Sequence, residues 1–335
     1  MRKTLYLVTG TTDHLGVRVA RQLAAEDKDV RVLVPSGKTT ADCLPPQVGV
    51  FAGDVADAVA LQPFFAAEED SELIAIHCDA IVTVSDHFSE RVYEINVDGT
   101  RNVIEMCIER KARKLVYVSS IAAMPELPKG RRIVEVDRYE PCLVGGFYGK
   151  TEAEACRLVL DAVRERGLDA SIICSGGIVG PGDYSYGPVA SVIIDYINGN
   201  LPVGVAGTLN FADVRDLAAG VVACCERGRS GESYIMANES VPVRRIFRLI
   251  SAASGAREIK VMLPIGVAEI LAALAELASR LRGKPARLTR NLVHALARNN
   301  DFSSDKAKRE LGYRQRPLAQ TIADTVAWLM LEGKV

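Results

Sequence analysis

The residues whose spacing first suggests chemistry are Val8-Thr9-Gly10-Thr11-Thr12-Asp13-His14-Leu15-Gly16. A glycine turn between a strand and a helix lets a pyrophosphate approach the backbone. The helix start then offers unpaired N–H groups and the positive end of its dipole. Gly10, Thr12, Asp13, His14, Leu15 and Gly16 are therefore expected to form a phosphate cradle. His14 has two readings, a donor to phosphate or a surface residue at a helix start. Asp13 is out of character, because its charge would meet the phosphates unless it turns outward or caps the helix. The next strand ends in Val34-Pro35-Ser36-Gly37-Lys38, with no acid to hold a ribose 2′-hydroxyl. Ser36 and Lys38 could accept a 2′-phosphate, so NADP is slightly favoured over NAD, if a dinucleotide binds at all. Lys38 reads equally well as a solvated loop charge.

The elements that must position these residues alternate along the chain. Strands are expected at 4–9, 30–34, 48–51, 73–77, 114–119 and 170–174, with a turn over 10–16. Helices are expected at 17–25, 93–109 and 148–166. This rhythm predicts an α/β fold, a doubly wound parallel sheet of Rossmann type. Residues 1–180 would form the core. Residues 181–335 would form mostly a smaller lobe and a helical tail, with some segments returning to the core. In that tail Leu271, Leu274, Leu277, Ala278 and Leu281 recur at helical spacing. Such a stripe predicts burial against the lobe; the alternative is a lid over an apolar substrate or contact with a membrane surface.

Composition narrows the classes. The 335 residues carry a formal net charge of −1, with no basic stripe of the kind nucleic acid requires. The eight cysteines form no C-x-x-C pair and no zinc spacing, so no metal site is expected and buried free thiols are. The first residues lack the apolar core of a signal peptide. The apolar run 261–281 is broken by Glu269, Glu276 and Arg280. A cytoplasmic protein with a small-molecule substrate and neither a nucleic-acid nor a membrane partner is the expectation.

Several ordered segments give the chain a resemblance to the extended short-chain dehydrogenase/reductases, the NAD-dependent epimerase/dehydratase group, and within it to the dihydroflavonol reductase and hydroxysteroid dehydrogenase branch. They are the glycine turn, Asn96-Val97-Asp98-Gly99-Thr100-Arg101-Asn102-Val103, Val116-Tyr117-Val118-Ser119-Ser120, Gly177-Ile178-Val179-Gly180-Pro181-Gly182-Asp183, Phe211-Ala212-Asp213-Val214-Arg215-Asp216, and the closing Phe302-Ser303-Ser304-Asp305-Lys306-Ala307. The resemblance implies nucleotide-dependent redox chemistry on a secondary alcohol, a ketone or a sugar nucleotide. Tyr148 would be the acid or base and Ser120 would bond the same substrate oxygen. A lysine four residues after the tyrosine would lower its pKa. Asp54 would contact adenine, with a plain turn residue as the other reading. Val55, Cys78, Asp79, Ala80, Asn96, Ser175 and Ile178 would also border the cofactor. The later lobe would line the substrate, and the helices at 93–109 and 148–166 would pair in a homodimer. His77 reads as a packed residue, and Asp213, Arg215 and Asp216 as a tie between lobe and sheet.

The chain departs from that pattern where the chemistry lies. The lysine position holds Glu152, and no Tyr-x-x-x-Lys exists anywhere in the sequence. Lys150 lies about 200° around the helix from Tyr148 and faces nearly away. Asp13 replaces a glycine, Asp79 an alanine, and Cys174-Ser175 an Arg-Pro pair. Two functions remain open: an oxidoreductase or epimerase/dehydratase relative with an altered site, or a non-catalytic relative that binds or regulates and has lost its cofactor. A third keeps an enzyme in which Glu152 is itself the acid or base.

Overall fold

The structure is a computed structural model that describes residues 3–12, 14–37, 44–68, 70–282, 286 and 288–335. The elements are β1 (Thr4–Thr9), α1 (His14–Ala25), β2 (Asp29–Val34), β3 (Gly49–Ala52), α2 (Ala58–Phe65), β4 (Glu72–His77), α3 (Glu90–Tyr93), α4 (Thr100–Glu109), β5 (Lys114–Ser120), α5 (Phe147–Arg166), β6 (Ala170–Ser175), β7 (Gly177–Val179), α6 (Pro188–Ile197), β8 (Gly204–Val205), β9 (Thr208–Asp213), α7 (Val214–Arg227), β10 (Ser233–Met236), β11 (Ser240–Pro242), α8 (Val243–Ser254), β12 (Met262–Leu263), α9 (Ile265–Arg282), α10 (Arg290–Ala297), α11 (Asp305–Leu311) and α12 (Leu318–Leu331).

Seven parallel strands form the main sheet in the order β10-β6-β5-β4-β1-β2-β3. Inner strands of such a sheet are buried on both faces and read as continuous apolar runs, as Leu5 to Val8 do. Along β1 the side chains alternate. Leu5 and Leu7 enter the core that holds Tyr117 and Val159, while Tyr6 and Val8 enter the opposite core with Leu23 and Val221. Helices α4 and α5 cover one face, α1 and α7 the other. Strand order reverses between β1 and β4, and ligands of open α/β sheets bind at the carboxyl ends of the strands beside such a switch.

Two expected boundaries shift. Helix α1 begins at His14, so the turn is shorter than 10–16. The helix expected at 93–109 is interrupted by a π turn over Glu94–Gly99. A side chain at Gly99 would place its Cβ 2.6 Å from Val55 Cγ2, so the chain passes too close to the β3 loop for any larger residue. The Thr100 hydroxyl bonds the Asn96 carbonyl at 2.7 Å within that turn.

Past Gly180 a third apolar cluster forms around Phe247, Ile250, Ile322 and Leu329. It carries a three-stranded sheet, β11-β9-β7, and a two-stranded one, β12-β8. Strand β10 returns to the main sheet beside β6. The junction is ionic: Asp213, its side chain 1% exposed, takes Arg215 Nη2 at 2.7 Å, and Arg215 Nη1 reaches Asp324 at 2.7 Å. Thr321 donates to Asp213 at 2.7 Å and Arg316 pairs with Asp216 at 2.8 Å. The arginine and hydroxyl partners outweigh burial and hold the Asp213 carboxyl below its ordinary range. Asp213→Ala leaves Arg215 with Asp324 alone and the Thr321 hydroxyl without its acceptor, and should lower the unfolding free energy by about 2 kcal/mol. Urea denaturation checks this; a loss below about 0.5 kcal/mol would show the tie to be dispensable.

Candidate active site

Every strand of the sheet from β1 to β6 brings an expected residue to the same edge. At the turn after β1, Gly10 has φ +72°, and a Cβ there would lie 2.6 Å from the Cys78 carbonyl. A Cβ on Gly16 would lie 2.3 Å from the Gly10 carbonyl oxygen. The turn is thus pressed between the end of β4 and its own helix, which only glycine allows. The buried Thr11 hydroxyl ties it to the Leu33 carbonyl at 2.8 Å. Thr12 stands in the turn and Leu15 is buried in the first turn of α1, whose leading amides lack partners within the helix. Asp13 and Lys38 lie outside the described residues.

His14 is a correction to the surface reading. It is buried, with Nε2 on the Pro181 carbonyl at 3.1 Å, and burial lowers its pKa. The ring fastens the turn to the loop after β7 and is not free to serve a phosphate. Ser36 stays exposed beyond β2. Asp54 pairs with Arg91 and accepts the Ala56 N–H at 3.0 Å, so its carboxylate is already engaged. Val55 is fully buried. Cys78, Asp79 and Ala80 are half-buried at the end of β4, and Ile178 packs against the core under α1. The glycine turn, the α1 start and the switch point fit a dinucleotide; the engaged Asp54 and His14 leave its contacts there to backbone amides.

At the other end of the cleft, Ser120 closes β5 and its hydroxyl accepts the Ala122 N–H at 3.1 Å. The same side chain lies close to that of Tyr148. Gly149 makes that meeting possible, because a Cβ there would sit 2.7 Å from the Ala122 carbonyl oxygen. Asn96 braces the helix from behind, with Nδ2 on Thr151 Oγ1 at 3.1 Å and Oδ1 on the Ile81 N–H at 2.8 Å. Lys150 is exposed, as its position on the helix predicts. Ser175 does no more than bond the Ser119 carbonyl at 3.1 Å, joining β6 to β5.

Glu152 lies one turn along α5 and is fully buried. Its Oε2 accepts Ser119 Oγ at 2.8 Å and Tyr117 OH at 3.4 Å, while Oε1 is buried without a hydrogen-bond partner. No ion pair among the described residues includes it. Desolvation outweighs the two hydroxyl donors and pushes its pKa from 4.5 up to about 7. Tyr148 still reaches solvent in part, yet desolvation of its phenol and then the Glu152 carboxylate push its pKa well above 10, against the opposing effect of the nearby Ser120 hydroxyl. The arrangement is the reverse of one that stabilises a tyrosinate. It keeps a phenol proton in place and sets a carboxyl that changes charge near neutrality beside it.

No local sequence pattern announces the segment that lies over this edge. Thr289, the N-cap of α10, donates to the Val84 carbonyl at 3.0 Å, and His294 Nε2 meets Glu126 Oε1 at 2.8 Å. Just beyond α10, Arg298 Nη2 donates to the Ile121 carbonyl at 3.2 Å. These partners stand far apart in the chain, and no local pattern marks them. His77 is packed, as expected: fully buried, bonded to Thr9 at 2.7 Å and Thr100 at 3.1 Å, with its pKa lowered by burial to about 3. Most described cysteines are buried, but Cys142 is exposed and Cys78 half-exposed.

The raised Glu152 pKa fixes a stability trend. The folded state holds this proton more tightly than the unfolded chain, so the contribution is intact below about pH 4.5 and is lost as pH rises through about 7. Between pH 5 and pH 8 the wild type should lose about 2.5 kcal/mol relative to Glu152→Gln. Urea denaturation of both proteins at both pH values measures it, and parallel pH profiles would contradict it.

Comparison with known proteins agrees with this architecture. The profile of the NAD dependent epimerase/dehydratase family matches residues 6–237. Sterol demethylase protein B of Methylococcus capsulatus is 28% identical over 335 residues, covering 98% of this chain and 99% of that protein. A 4-hydroxy-2-methyl-3-oxo-4-farnesyl-3,4-dihydroquinoline-1-oxide ketoreductase of Stigmatella aurantiaca is 27% identical, covering 95% and 94%. The crystal structure of gox2253 superimposes over 100% of both chains with a TM-score of 0.86 at 31% identity. With the profile spanning more than half of the chain and the fold matching throughout, this protein belongs to the NAD dependent epimerase/dehydratase family.

Proposed function

We propose that the protein is a nicotinamide-dependent reductase of a ketone on an apolar ring system, with Tyr148 as the proton donor. The observation that carries this reading is the proximity of the Ser120 and Tyr148 side chains, at the end of β5 and the start of α5, beside a glycine turn shaped for a dinucleotide. A bound nicotinamide supplies the hydride. Ser120 holds the carbonyl oxygen, and the Tyr148 hydroxyl gives it a proton. With its pKa pushed up, Tyr148 keeps that proton at neutral pH, which favours reduction of a ketone over abstraction from an alcohol. Glu152 takes the lysine's place as a carboxyl that gains its proton near neutrality and braces Ser119 and Tyr117. Residues 1–180 serve the cofactor and the later lobe mostly serves the substrate. Absence of an acid after β2 and the exposed Ser36 favour NADPH over NADH. The names of the sterol and farnesyl-quinoline relatives support an apolar substrate over a sugar nucleotide.

Titration of the purified protein with NADPH and NADH should show micromolar binding, tighter for NADPH. No binding at millimolar dinucleotide would instead favour a non-catalytic relative. Tyr148→Phe should retain that binding and lose ketone reduction by at least about a hundredfold; full turnover in the variant would reject the assignment. Ionisation of Glu152 should weaken the donor, so kcat/KM falls as pH rises through about 7. In Glu152→Gln that limb should vanish.

A further inference from the structure

Of the stripe expected to be buried on α9, Leu271, Leu274 and Leu277 are instead exposed and Ala278 is half-buried, while the side chain of Leu281 lies outside the described residues. Val267, Ile270, Leu271, Leu274 and Leu277 are exposed, from 42% at Leu271 to 65% at Ile270, while Ala268 and Ala272 on the far side of the helix pack inward. At 100° per residue the exposed five fall within an arc of about 120°. Val261, just before the helix, adds a further exposed apolar side chain. A contiguous apolar face of this kind on an outer helix marks an interaction surface.

Charge indicates what covers it. Residues 243–298 carry eleven arginines and lysines against three glutamates, in a chain whose net charge is −1. The remainder of the molecule is therefore acidic and the segment around α9 strongly basic. Basic residues bracket the stripe in the sequence, Arg244, Arg257 and Lys260 before it and Arg280 and Arg282 after it, while Arg290 is taken up by Glu276 at 3.0 Å. Arg244 Nη2 bonds the Lys260 carbonyl at 3.3 Å, holding both beside the start of α9. Two copies meeting through this face would bring two basic segments together, which opposes self-association. A surface both apolar below and anionic above satisfies both features.

We propose that α9 docks this protein on the surface of an anionic lipid bilayer, its apolar stripe set into the headgroup boundary and the basic flanks against the phosphates. Among the described residues no helix is long and apolar enough to cross a membrane, so the helix lies on the bilayer and does not span it. Helix α10 packs on α9 and also holds the Val84 and Glu126 loops at the cleft. Docking therefore brings the mouth of the site close to the lipid, whatever the reaction catalysed there.

The test is flotation of the full chain with vesicles of phosphatidylcholine alone or with about one-third phosphatidylglycerol. Binding to the anionic vesicles should be at least about tenfold tighter than to the neutral ones, and should fall at high salt. The double substitution Leu271→Ser, Leu274→Ser should weaken it by at least about tenfold, with melting temperature and dinucleotide binding unchanged. Absence of binding to anionic vesicles, or binding that the double substitution leaves intact, overturns the proposal. So does a dimer in light scattering that the double substitution dissociates without any lipid binding, which would assign the face to a second copy.

Discussion

A carboxyl group enclosed between a sheet and a helix, with hydroxyl donors but no cation, is costly to ionise. Glu152 is such a group, and the properties of the catalytic edge follow from it. Its Oε2 is held by Ser119 and Tyr117, so the end of β5 and the first turns of α5 share one hydrogen-bonded unit. Its unpartnered Oε1 records that the pocket was not filled by a matching donor. A lysine in the same place would draw Tyr148 toward tyrosinate. The glutamate pushes it the other way and keeps the phenol protonated.

The rest of the molecule keeps that unit in register with the dinucleotide turn. Gly10, Gly16, Gly99 and Gly149 are the points where backbones approach too closely for a side chain, and each joins two elements around the cleft. Asp213, Arg215, Arg316 and Thr321 lock the smaller lobe onto the sheet from below. From above, α10 reaches the loops after β4 and β5. The cleft is thus bounded by rigid strand ends on one side and by a helix of the later lobe on the other, which places positioned side chains and a replaceable cover at the same edge.

The fold was legible because it rests on local signals. Strand runs such as Leu5–Val8 and the helical spacing of α1 and α5 depend on neighbours in sequence, and they appear within about three residues of expectation. The meeting of Ser120 and Tyr148 was legible only through resemblance, and the outward turn of Lys150 through helix geometry. Other features are tertiary. The burial of His14 depends on Pro181, and the engagement of Asp54 depends on Arg91. The exposure of the α9 stripe depends on what does not pack against it. Helical periodicity shows that a face is apolar, but whether that face meets the core or a partner is decided by the rest of the fold.

The central claim is that Glu152, in the lysine's place, is a carboxyl that takes up its proton near neutrality. The direct measurement is a carbon-13 NMR titration of the Glu152 carboxyl, assigned by comparison with Glu152→Gln. A midpoint near 7 is the expected result. A midpoint at the ordinary glutamate value near 4.5 would mean that the carboxylate is ionised at neutral pH, and the account of the proton donor would fail.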